Sequence, residues 1–304
     1  MPRTFDVVII GAGPAGMSAA IYCTRKGLKT MIIGKDVGGQ VAKSGEIQNY
    51  LGYGATTGAD LVQLFHEHVK GFENIVHEHG ILVTDVTQKG DSFIVKTEKE
   101  ELEAEAVIIA SGRTPRKLGI PGEEEFNNKG VSYCDVCDGP LFSKKDVAVV
   151  GGGNSGLEAA LSLSKICKSV AVINLTDDLT GDETLRKKIK DADNVTIYNN
   201  AKTKEVAGET FVKELVYEDK DGNEKRLSVQ GVFIEVGYVP KSDFEKLSTK
   251  DDSNRIVINK NCETNVPGLF AAGDVTDIRD NQVIIASGEG AKAALSTYYY
   301  LAHK

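Results

Sequence analysis

Two cysteines separated by two residues are the most chemically suggestive feature of the sequence. Cys134 and Cys137 stand in the run Tyr133-Cys-Asp-Val-Cys-Asp-Gly-Pro140, and this spacing lets a disulfide open and close within one turn of chain. Such pairs can lower a thiolate pKa strongly, which makes one sulfur a nucleophile near neutral pH. A structural zinc site would need about four ligands in paired motifs, and the chain has no second pair of this kind. We therefore predict a redox role, with two ordinary buried thiols as the alternative.

An internal repeat surrounds this pair. An offset of 140 positions (Asp146 minus Asp6) places Asp6-Val-Val-Ile-Ile-Gly-Ala-Gly-Pro-Ala-Gly16 on Asp146-Val-Ala-Val-Val-Gly-Gly-Gly-Asn-Ser-Gly156. A second apolar segment follows in both copies, at residues 30–33 and 170–173. Each copy predicts a strand, a glycine turn, a helix and a second strand, which is one βαβ unit. The continuous apolar strands are typical of a parallel sheet that is covered on both faces.

The glycines of each copy have separate physical roles. The first permits the tight turn, the second lets the backbone approach a diphosphate at the helix N-terminus, and the third lets helix and strand pack closely. The two sets are Gly11, Gly13 and Gly16, and Gly151, Gly153 and Gly156. A single motif is weak evidence, because glycine turns are common in α/β sheets. Two copies in matching context favour two dinucleotide sites.

Length, composition and charge limit the class of protein. A chain of 304 residues favours two domains, and its 41% hydrophobic and 26% charged residues are ordinary for a soluble globular protein. The net charge of −8 argues against nucleic acid and anionic membranes as partners. Five cysteines and no room for a signal peptide before the first strand predict a cytoplasmic protein without a disulfide scaffold.

The residues that follow each second strand bear on the choice of nucleotide. The motif normally places an acid there to hold the ribose hydroxyls, but the positions carry Gly34 and Asn174. Asn174 can still hydrogen-bond a neutral 2′-hydroxyl. The run from Asn174 to Glu183 contains four carboxylates, which would repel a 2′-phosphate. NADH is therefore favoured over NADPH, unless this run is a solvated loop away from the ligand.

The motifs together resemble those of the low-molecular-weight thioredoxin reductases. The resemblance is carried by Gly11–Gly16, Gly38-Gly-Gln40, Cys134–Gly139, Gly151–Gly156 and Ala271-Ala-Gly-Asp274, in this order, and it covers about residues 5–301. Residues 151–160, 262–265 and 284–293 are similar also to the C-terminal portion of the alkyl hydroperoxide reductase flavoprotein subunit. The chain lacks the long thioredoxin-like N-terminal extension of that subunit, so the expected acceptor is a separate protein, a thioredoxin or a glutaredoxin-like protein.

The resemblance implies that FAD binds the first glycine turn and that NADH or NADPH binds the second. The implied FAD-binding residues are Gly11, Gly13, Pro14, Ala15, Gly16, Gly34, Gly38, Gly39, Gln40, Asn49, Gly273, Asp274, Gln282 and Val283. The implied nucleotide-binding residues are Gly151, Gly153, Asn154, Ser155, Gly156 and Asn174. The basic cluster of NADPH-dependent members is absent after the second strand, which agrees with the charge argument.

The resemblance also implies roles for the residues of the redox segment. Hydride passes from the nicotinamide to the flavin, and the reduced flavin opens the disulfide. Cys137 then faces the flavin as the charge-transfer thiolate, while Cys134 attacks the disulfide of the partner. Asp138 is either the acid that protonates the leaving group or a helix-capping residue, and the sequence leaves both roles open.

The expected architecture is an α/β protein with two Rossmann-like domains. A discontinuous FAD domain of residues 1–114 and 244–304 receives an inserted NAD(P)H domain of residues 115–243, which carries the CxxC pair. The proline- and glycine-containing crossings near Arg113–Pro115 and Gly237–Lys241 are candidate hinges. A homodimer is implied by resemblance alone. Alternative functions are a flavoprotein that feeds a peroxiredoxin through a carrier, an NAD(P)H oxidase, and a flavin-bound redox sensor without turnover.

The remaining histidines and cysteines predict no metal site. His66, His68, His77 and His79 form two His-Glu-His triplets, and the i,i+2 spacing puts the first pair on different faces of a helix. They are predicted to be solvated. Cys23, Cys167 and Cys262 are predicted to be small packing residues.

Overall fold

The structure is a computed structural model that describes residues 2–44, 46–47, 49–54, 56–133 and 135–304, with the backbone alone for Lys43, Glu46, Val136 and Cys137. In chain order the helices and strands are β1 (Arg3–Ala12), α1 (Pro14–Arg25), β2 (Thr30–Val37), β3 (Glu46–Ile47), β4 (Thr56–Thr57), α2 (Gly58–Lys70), β5 (Ile75–His79), β6 (Val83–Lys89), β7 (Ser92–Thr97), β8 (Glu101–Ile109), β9 (Arg113–Pro115), β10 (Val131–Ser132), α3 (Asp135–Asp138), β11 (Asp146–Val150), α4 (Asn154–Ser164), β12 (Ser169–Ile173), α5 (Glu183–Lys190), β13 (Val195–Tyr198), β14 (Lys202–Gly208), β15 (Val212–Glu218), β16 (Glu224–Ser228), β17 (Gly231–Ile234), β18 (Tyr238–Pro240), β19 (Leu269–Ala271) and α6 (Val283–Ala302).

The chain divides into two compact units. The first contains Met1–Thr114 and Val239–Lys304, and the second contains Pro115–Tyr238. The chain passes between them in β9 and β18, which pair as a two-stranded ribbon. Both units are α/β, with a parallel sheet in each, so the predicted fold class is confirmed.

The first unit is built on a seven-stranded sheet. Its strand order is β5-β2-β1-β8-β7-β6, and β19 also pairs with β8. The pairs that involve β1, β2, β5 and β19 are parallel, whereas β6 and β7 add an antiparallel edge. The carboxyl ends of the parallel strands therefore meet at one edge, where ligands bind in folds of this kind.

Side-chain alternation along β1 explains why the sheet is covered on both faces. Val7 and Ile9 belong to one buried cluster, which also contains alanines of α1 and α6. Val8 and Ile10 belong to a second cluster, which contains Met31 of β2. A strand that is apolar at every position buries both of its faces, so the predicted βαβ unit is confirmed here.

The second unit repeats this design around a five-stranded parallel sheet. Its order is β10-β17-β11-β12-β13, and β11 again feeds two clusters, with Ala148 and Val150 in one and Val147 and Val149 in the other. An antiparallel sheet, β14-β15-β16, completes the unit. The repeat recognised in the sequence is thus a repeat of structure.

A pair of α6 glycines tests how strictly the packing of α1 against α6 is set. A Cβ at Gly290 would lie 1.9 Å from Ala15 O, whereas a Cβ at Gly288 would have no atom within 4 Å. We expect Gly290→Ala to destabilise the protein by about 2–3 kcal/mol, because the helices must separate. Gly288→Ala should be neutral or stabilising by up to about 1 kcal/mol through helix propensity. Thermal unfolding of both variants measures this, and equal stabilities would contradict the packing account.

Candidate functional site

The first glycine turn joins β1 to α1 at the carboxyl edge of the sheet. Gly11 has a φ of +116°, and a Cβ there would lie 2.1 Å from Ala110 O. A Cβ at Gly16 would lie 1.8 Å from Gly11 O, whereas nothing lies within 4 Å of the position that a Gly13 Cβ would take. The turn is therefore closed around its first and third glycines and open at the middle one.

Helix α1 begins at this opening. Gly13 is its N-cap, no side chain caps it, and Pro14 occupies the first turn. The N–H groups of a first helical turn have no partner within the helix, and the helix dipole adds partial positive charge there. Open space beside uncapped N–H groups fits a dinucleotide diphosphate. We call this region, from Gly11 to Gly16, the first cradle.

Three further glycines that the resemblance implied for FAD lie at the first cradle. Gly38 and Gly39 have φ angles of +86° and +58°, and the Gly38 N–H donates to Ala12 O at 2.7 Å. A Cβ at Gly39 would lie 3.7 Å from the Cα of Gly13. Gly273, two residues after β19, has a φ of +77°, and a Cβ there would lie 3.0 Å from the Cβ of Ala15. Distant parts of the chain thus bring their backbones to the start of α1.

Four other residues that the resemblance implied for FAD make polar side-chain contacts in this unit. Gln40 Nε2 donates to Arg113 O at 2.8 Å, and Arg113 Nε lies 3.1 Å from Asp274 Oδ2. Burial raises the pKa of the Asp274 carboxyl, and the Arg113 charge opposes that rise. Asn49 Nδ2 donates to Gln282 Oε1 at 3.0 Å, and Gln282 is the N-cap of α6.

Arg113 and Glu289 belong to this site although sequence reasoning did not assign them to it. Arg113 was considered only as part of a hinge. Glu289 is a buried α6 residue whose Oε2 accepts from the Gly273 N–H at 2.8 Å, and burial raises the pKa of its carboxyl. Among the described residues, Glu289 Oε1 is buried without a hydrogen-bond partner. A charged residue inside an alanine-rich helix is the sequence signal that points to Glu289.

The remaining two implied residues are Gly34 and Val283. Gly34 lies within β2, where a Cβ would lie 2.9 Å from Ala12 N. Val283 is the first residue of α6. Both are in the first unit, and their contacts with a cofactor stay predictions.

The second glycine turn, between β11 and α4, has the same construction. Gly151 has a φ of +139°, and its Cβ would lie 2.2 Å from Glu235 O, while a Gly156 Cβ would lie 2.1 Å from Gly151 O. The Cβ position of Gly153 has only Thr180 Oγ1 nearby, at 3.8 Å. Gly153 is the N-cap of α4 without a side-chain cap, and Asn154 and Ser155 begin the helix. This second cradle, Gly151 to Gly156, also fits a diphosphate.

The acidic run after β12 lies directly against the second cradle. The N–H groups of Thr180 and Gly181 donate to Gly152 O at 2.9 and 3.1 Å. Asn154 and Asp182 exchange two hydrogen bonds, from Asp182 N to Asn154 Oδ1 at 2.7 Å and from Asn154 Nδ2 to Asp182 Oδ2 at 3.2 Å. Residues 180–182 therefore lie beside the second glycine turn, and a contact of the acidic run with a nucleotide stays a prediction.

Asn174 is fully engaged with protein atoms. Its Nδ2 donates to Thr176 O at 3.0 Å and to Asn199 Oδ1 at 2.9 Å, and its Oδ1 accepts from Thr176 Oγ1 at 3.2 Å. A Cβ at Gly152 would lie 2.1 Å from Asn174 Oδ1. Asn174 thus holds the loop beside the cradle, and its predicted contact with a ribose stays a prediction.

Glu235 is a second carboxyl that sequence reasoning did not identify. It follows β17 at the carboxyl edge of the sheet, its N–H donates to Val150 O at 2.8 Å, and the residue is 8% exposed. Burial first, and then the charges of Asp135 and Glu158, raise the pKa of this carboxyl to about 8. At neutral pH the group is therefore mainly an uncharged acid beside Gly151.

The redox segment follows β10 in the chain. Cys134 is outside the described residues, and Cys137 is described by its backbone alone, in α3. The preceding residue is firmly held, because Tyr133 Oη donates to Glu123 Oε1 at 2.8 Å. Glu123 is buried and also accepts backbone N–H groups from Leu118, Gly119 and Ile120. The contacts of the two sulfurs stay predictions.

Asp138 ends the short helix of the redox segment. Its Oδ2 accepts a hydrogen bond from Ser132 Oγ at 2.6 Å. At the N-cap of the 3₁₀ turn Gly139–Phe142 it makes no side-chain capping bond. Asp138 therefore does not cap this turn through its side chain, and its role as a proton donor stays a prediction.

The other three cysteines are buried packing residues, as predicted. Cys23, Cys167 and Cys262 are free and buried. Burial raises the pKa of their thiols to about 12, 11 and 12 respectively. Few of these thiols are ionised at neutral pH, so they are poor nucleophiles.

Each cradle lies at the start of a helix, beside the parallel sheet of its own unit. Two such cradles are typical of a protein that binds two dinucleotides. The chain belongs to the pyridine nucleotide-disulphide oxidoreductase family, which its residues 5–293 match. It is an oxidoreductase of this family, whose thioredoxin reductase-like members use FAD and NAD(P)H. The predicted family, enzyme class and cofactors are confirmed at this level.

Individual relatives give the same result. The chain is 43% identical over 300 residues to an NADH dehydrogenase of Bacillus subtilis (strain 168) and 44% identical over 300 residues to an alkyl hydroperoxide reductase subunit of Staphylococcus aureus (strain MRSA252). These alignments cover 98% of the chain but 58% and 59% of the relatives, so the chain spans under three fifths of their length. The thioredoxin reductase of Lactococcus lactis superposes with a TM-score of 0.86 at 36% identity, covering 99% of this chain and 100% of that one.

No helix in the described part of the chain combines the length and the hydropathy that crossing a bilayer requires.

The raised pKa of Glu235 has a consequence for stability. The folded state holds this proton up to about pH 8, whereas an unfolded glutamate loses it near pH 4.3. This difference in proton affinity stabilises the folded state fully below about pH 4.3, and the stabilisation is lost as pH rises towards 8. We expect Glu235→Gln to match the wild type at pH 5 and to exceed its stability by about 2–4 kcal/mol at pH 9. Thermal unfolding across this pH range measures the difference.

Glu125→Gln is the matched control, because Glu125 lies in the same unit, is exposed, and is not among the charges that raise the pKa of Glu235. It should change stability by less than about 0.5 kcal/mol. A wild type and a Glu235→Gln variant with parallel pH profiles would show that the Glu235 carboxyl is ionised in the folded protein.

Proposed function

We propose that this chain is a disulfide reductase that passes electrons from NADH through FAD to the Cys134–Cys137 disulfide, and then to a thioredoxin or a glutaredoxin-like protein. The observation that carries the proposal is the matched construction of the two cradles. Each is closed at its first and third glycines and open at the middle one, and the CxxC pair precedes the second cradle in the chain.

We assign FAD to the first unit and the nicotinamide nucleotide to the second. The first cradle has additional backbone around it, from Gly38, Gly39 and Gly273, as a larger ligand with an extended ribityl chain requires. The second cradle has a compact loop, residues 180–182, against it. In this assignment the CxxC segment belongs to the nucleotide unit, within the predicted domain of residues 115–243.

Residues of the first unit would hold FAD through backbone and charge. The uncapped N–H groups at the start of α1 bind the diphosphate, and the carboxyl of Asp274 accepts hydrogen bonds from the ribityl hydroxyls. Arg113 keeps that carboxyl oriented through their contact at 3.1 Å. Glu289 fixes the Gly273 N–H at 2.8 Å, so that this backbone stays close to α1. When bound, FAD takes up a hydride and delivers two electrons to a disulfide.

The cysteines carry out the exchange with the partner. Opening of their disulfide by two electrons leaves two thiolates. The Cys134 thiolate attacks one sulfur of the partner disulfide, which forms a mixed disulfide and releases the other partner sulfur as a thiolate. Asp138 supplies the proton to that leaving group. The Cys137 thiolate then attacks the Cys134 sulfur of the mixed disulfide, which restores the Cys134–Cys137 disulfide and releases the second partner sulfur as a thiolate. A proton from water completes the partner dithiol.

The nucleotide proposal rests on charge at the second cradle. Asp182 contacts Asn154, the first residue of α4, and Asp177 and Asp178 are exposed in the loop that follows β12. A 2′-phosphate near these carboxylates is repelled, whereas the 2′-hydroxyl of NADH is not. Nearby cations already pair with Asp178, the Arg186 guanidinium at 3.4 Å and Lys190 Nζ at 4.0 Å.

Anaerobic flavin bleaching compares the two nucleotides directly. We expect NADH to bleach the flavin at least about tenfold faster than NADPH at limiting concentration, because a repulsion of about 1.4 kcal/mol is a factor of ten. Replacing Thr176 and Asp177 together with arginine should raise the NADPH rate. Asp193→Arg is the control, because Asp193 precedes β13 and so lies at the opposite edge of the sheet. Bleaching by NADPH as fast as by NADH would contradict the nucleotide assignment.

A second function is supported by the names of the relatives. The matched proteins of Staphylococcus aureus and Bacillus subtilis are an alkyl hydroperoxide reductase subunit and an NADH dehydrogenase. This chain would then supply a peroxiredoxin through a small carrier protein, or pass electrons from NADH to oxygen.

Substitution of Cys134 distinguishes these functions. We expect Cys134→Ser to keep NADH-dependent flavin bleaching and to lose at least about 100-fold in turnover on a thioredoxin disulfide, since the attacking sulfur is gone. The same loss with a carrier and peroxiredoxin as acceptor would favour the peroxide pathway. Undiminished NADH oxidation by oxygen in the variant, at a rate above disulfide reduction in the wild type, would identify an oxidase instead.

A further inference from the structure

Three histidines of the first unit form a cluster that the redox function does not use. His66 lies in α2, and His77 and His79 lie in β5. One ring nitrogen from each falls within 4.8 Å of the others, and His66 Nε2 lies 3.3 Å from His79 Nε2. His77 and His79 point to the same face of β5 because they are two residues apart. Helix α2 supplies the third ring, that of His66.

Protein contacts leave this cluster incompletely satisfied. Within the described part of the chain, His77 Nδ1 and His79 Nδ1 are both buried without a hydrogen-bond partner. Buried polar nitrogens of this kind are rare in folded proteins. Burial, and then the proximity of neighbouring charges, lowers the pKa of all three rings. A neutral imidazole ring has one nitrogen with a free lone pair, and that nitrogen can bind a metal ion.

The spacing of the cluster matches the ligand shell of a metal ion. Zinc binds imidazole nitrogen at about 2.0–2.1 Å with tetrahedral geometry, and the edge of such a tetrahedron is about 3.3–3.4 Å. The His66–His79 contact, at 3.3 Å, already has this length. The third nitrogen lies within 4.8 Å of the other two, and metal binding would require its ring to move to the same spacing.

We propose that His66, His77 and His79 bind one divalent transition-metal ion of the zinc class, with water in the fourth position. Imidazole ligands suit such ions, and three histidines with one open position are a known zinc arrangement. Lys70 lies close enough to oppose the cation, whereas Glu67 favours it. The ion joins α2 to β5, the edge strand of the sheet.

The proposed ion would hold α2, the helix that packs against Gly38 beside the first cradle. The same helix carries Val62, whose Cγ1 would lie 2.4 Å from a Cβ at Gly38. Fixing α2 at His66 therefore restricts the position of the helix that packs against Gly38. The expected consequence is a gain in thermal stability on metal binding, which follows from mass action on the folded state.

Zinc titration of the FAD-containing protein tests the proposal. Because Cys134 and Cys137 are potential zinc ligands, the titration uses the Cys134→Ser, Cys137→Ser background and competition with a chromophoric chelator. We expect one Zn²⁺ per chain, a rise in Tm with added Zn²⁺, and at least tenfold weaker binding in His66→Gln and in His79→Gln. The Tm measured without metal and the FAD content establish that each variant is folded.

His68→Gln is the matched control, because His68 is exposed on the same helix and lies outside the cluster. Its zinc affinity should stay within twofold of the parent. Binding that is absent in the parent, unchanged in the His66→Gln, His79→Gln double variant, or weakened equally by His68→Gln would overturn the proposal.

Discussion

The close approach of backbone to backbone at the two glycine turns is the constraint on which the rest of the structure depends. In both units the third glycine of the turn packs on the carbonyl of the first, at 1.8 Å and 2.1 Å for an added Cβ, and the first packs on the neighbouring strand. These contacts place the start of a helix at the carboxyl edge of a parallel sheet. The middle glycine then remains open, which leaves uncapped N–H groups beside free space.

Carboxyl groups near both cradles share one electrostatic property. Burial raises the pKa of Asp274 and Glu289 in the first unit and of Glu235 in the second. A dinucleotide diphosphate is an anion, and ionised carboxylates beside it would oppose its binding. For Glu235, whose pKa is about 8, that opposition is reduced at neutral pH because the carboxyl is largely protonated. The exposed carboxylates of residues 177 and 178 are different, and they underlie the proposed exclusion of a 2′-phosphate.

The βαβ units were predictable because their signal is local. The apolar strand, the three glycines and the start of the following helix lie within eleven residues, 6–16, and the second copy repeats them at 146–156. Arg113 and Glu289 were not predictable in this way, since their partners, Asp274 and Gly273, lie in other segments of the chain. The histidine cluster lies on two consecutive elements, α2 and β5, but it depends on how the helix folds back against the strand. Asn174 shows the reverse case. Counting from the turn predicts that Asn174 follows the second strand, as it does, but the contacts of its amide with Thr176 and Asn199 depend on the fold of the loop.

Substitution of the two middle glycines tests most directly the claim that the cradles hold different dinucleotides. A methyl group at Gly13 or Gly153 meets no protein atom closer than 3.8 Å, so each alanine variant should fold, at a cost of about 1 kcal/mol for the N-cap. The account predicts that Gly13→Ala loses FAD, whereas Gly153→Ala retains FAD and binds NADH at least about tenfold more weakly. Full FAD retention in Gly13→Ala, or loss of FAD in Gly153→Ala, would contradict it.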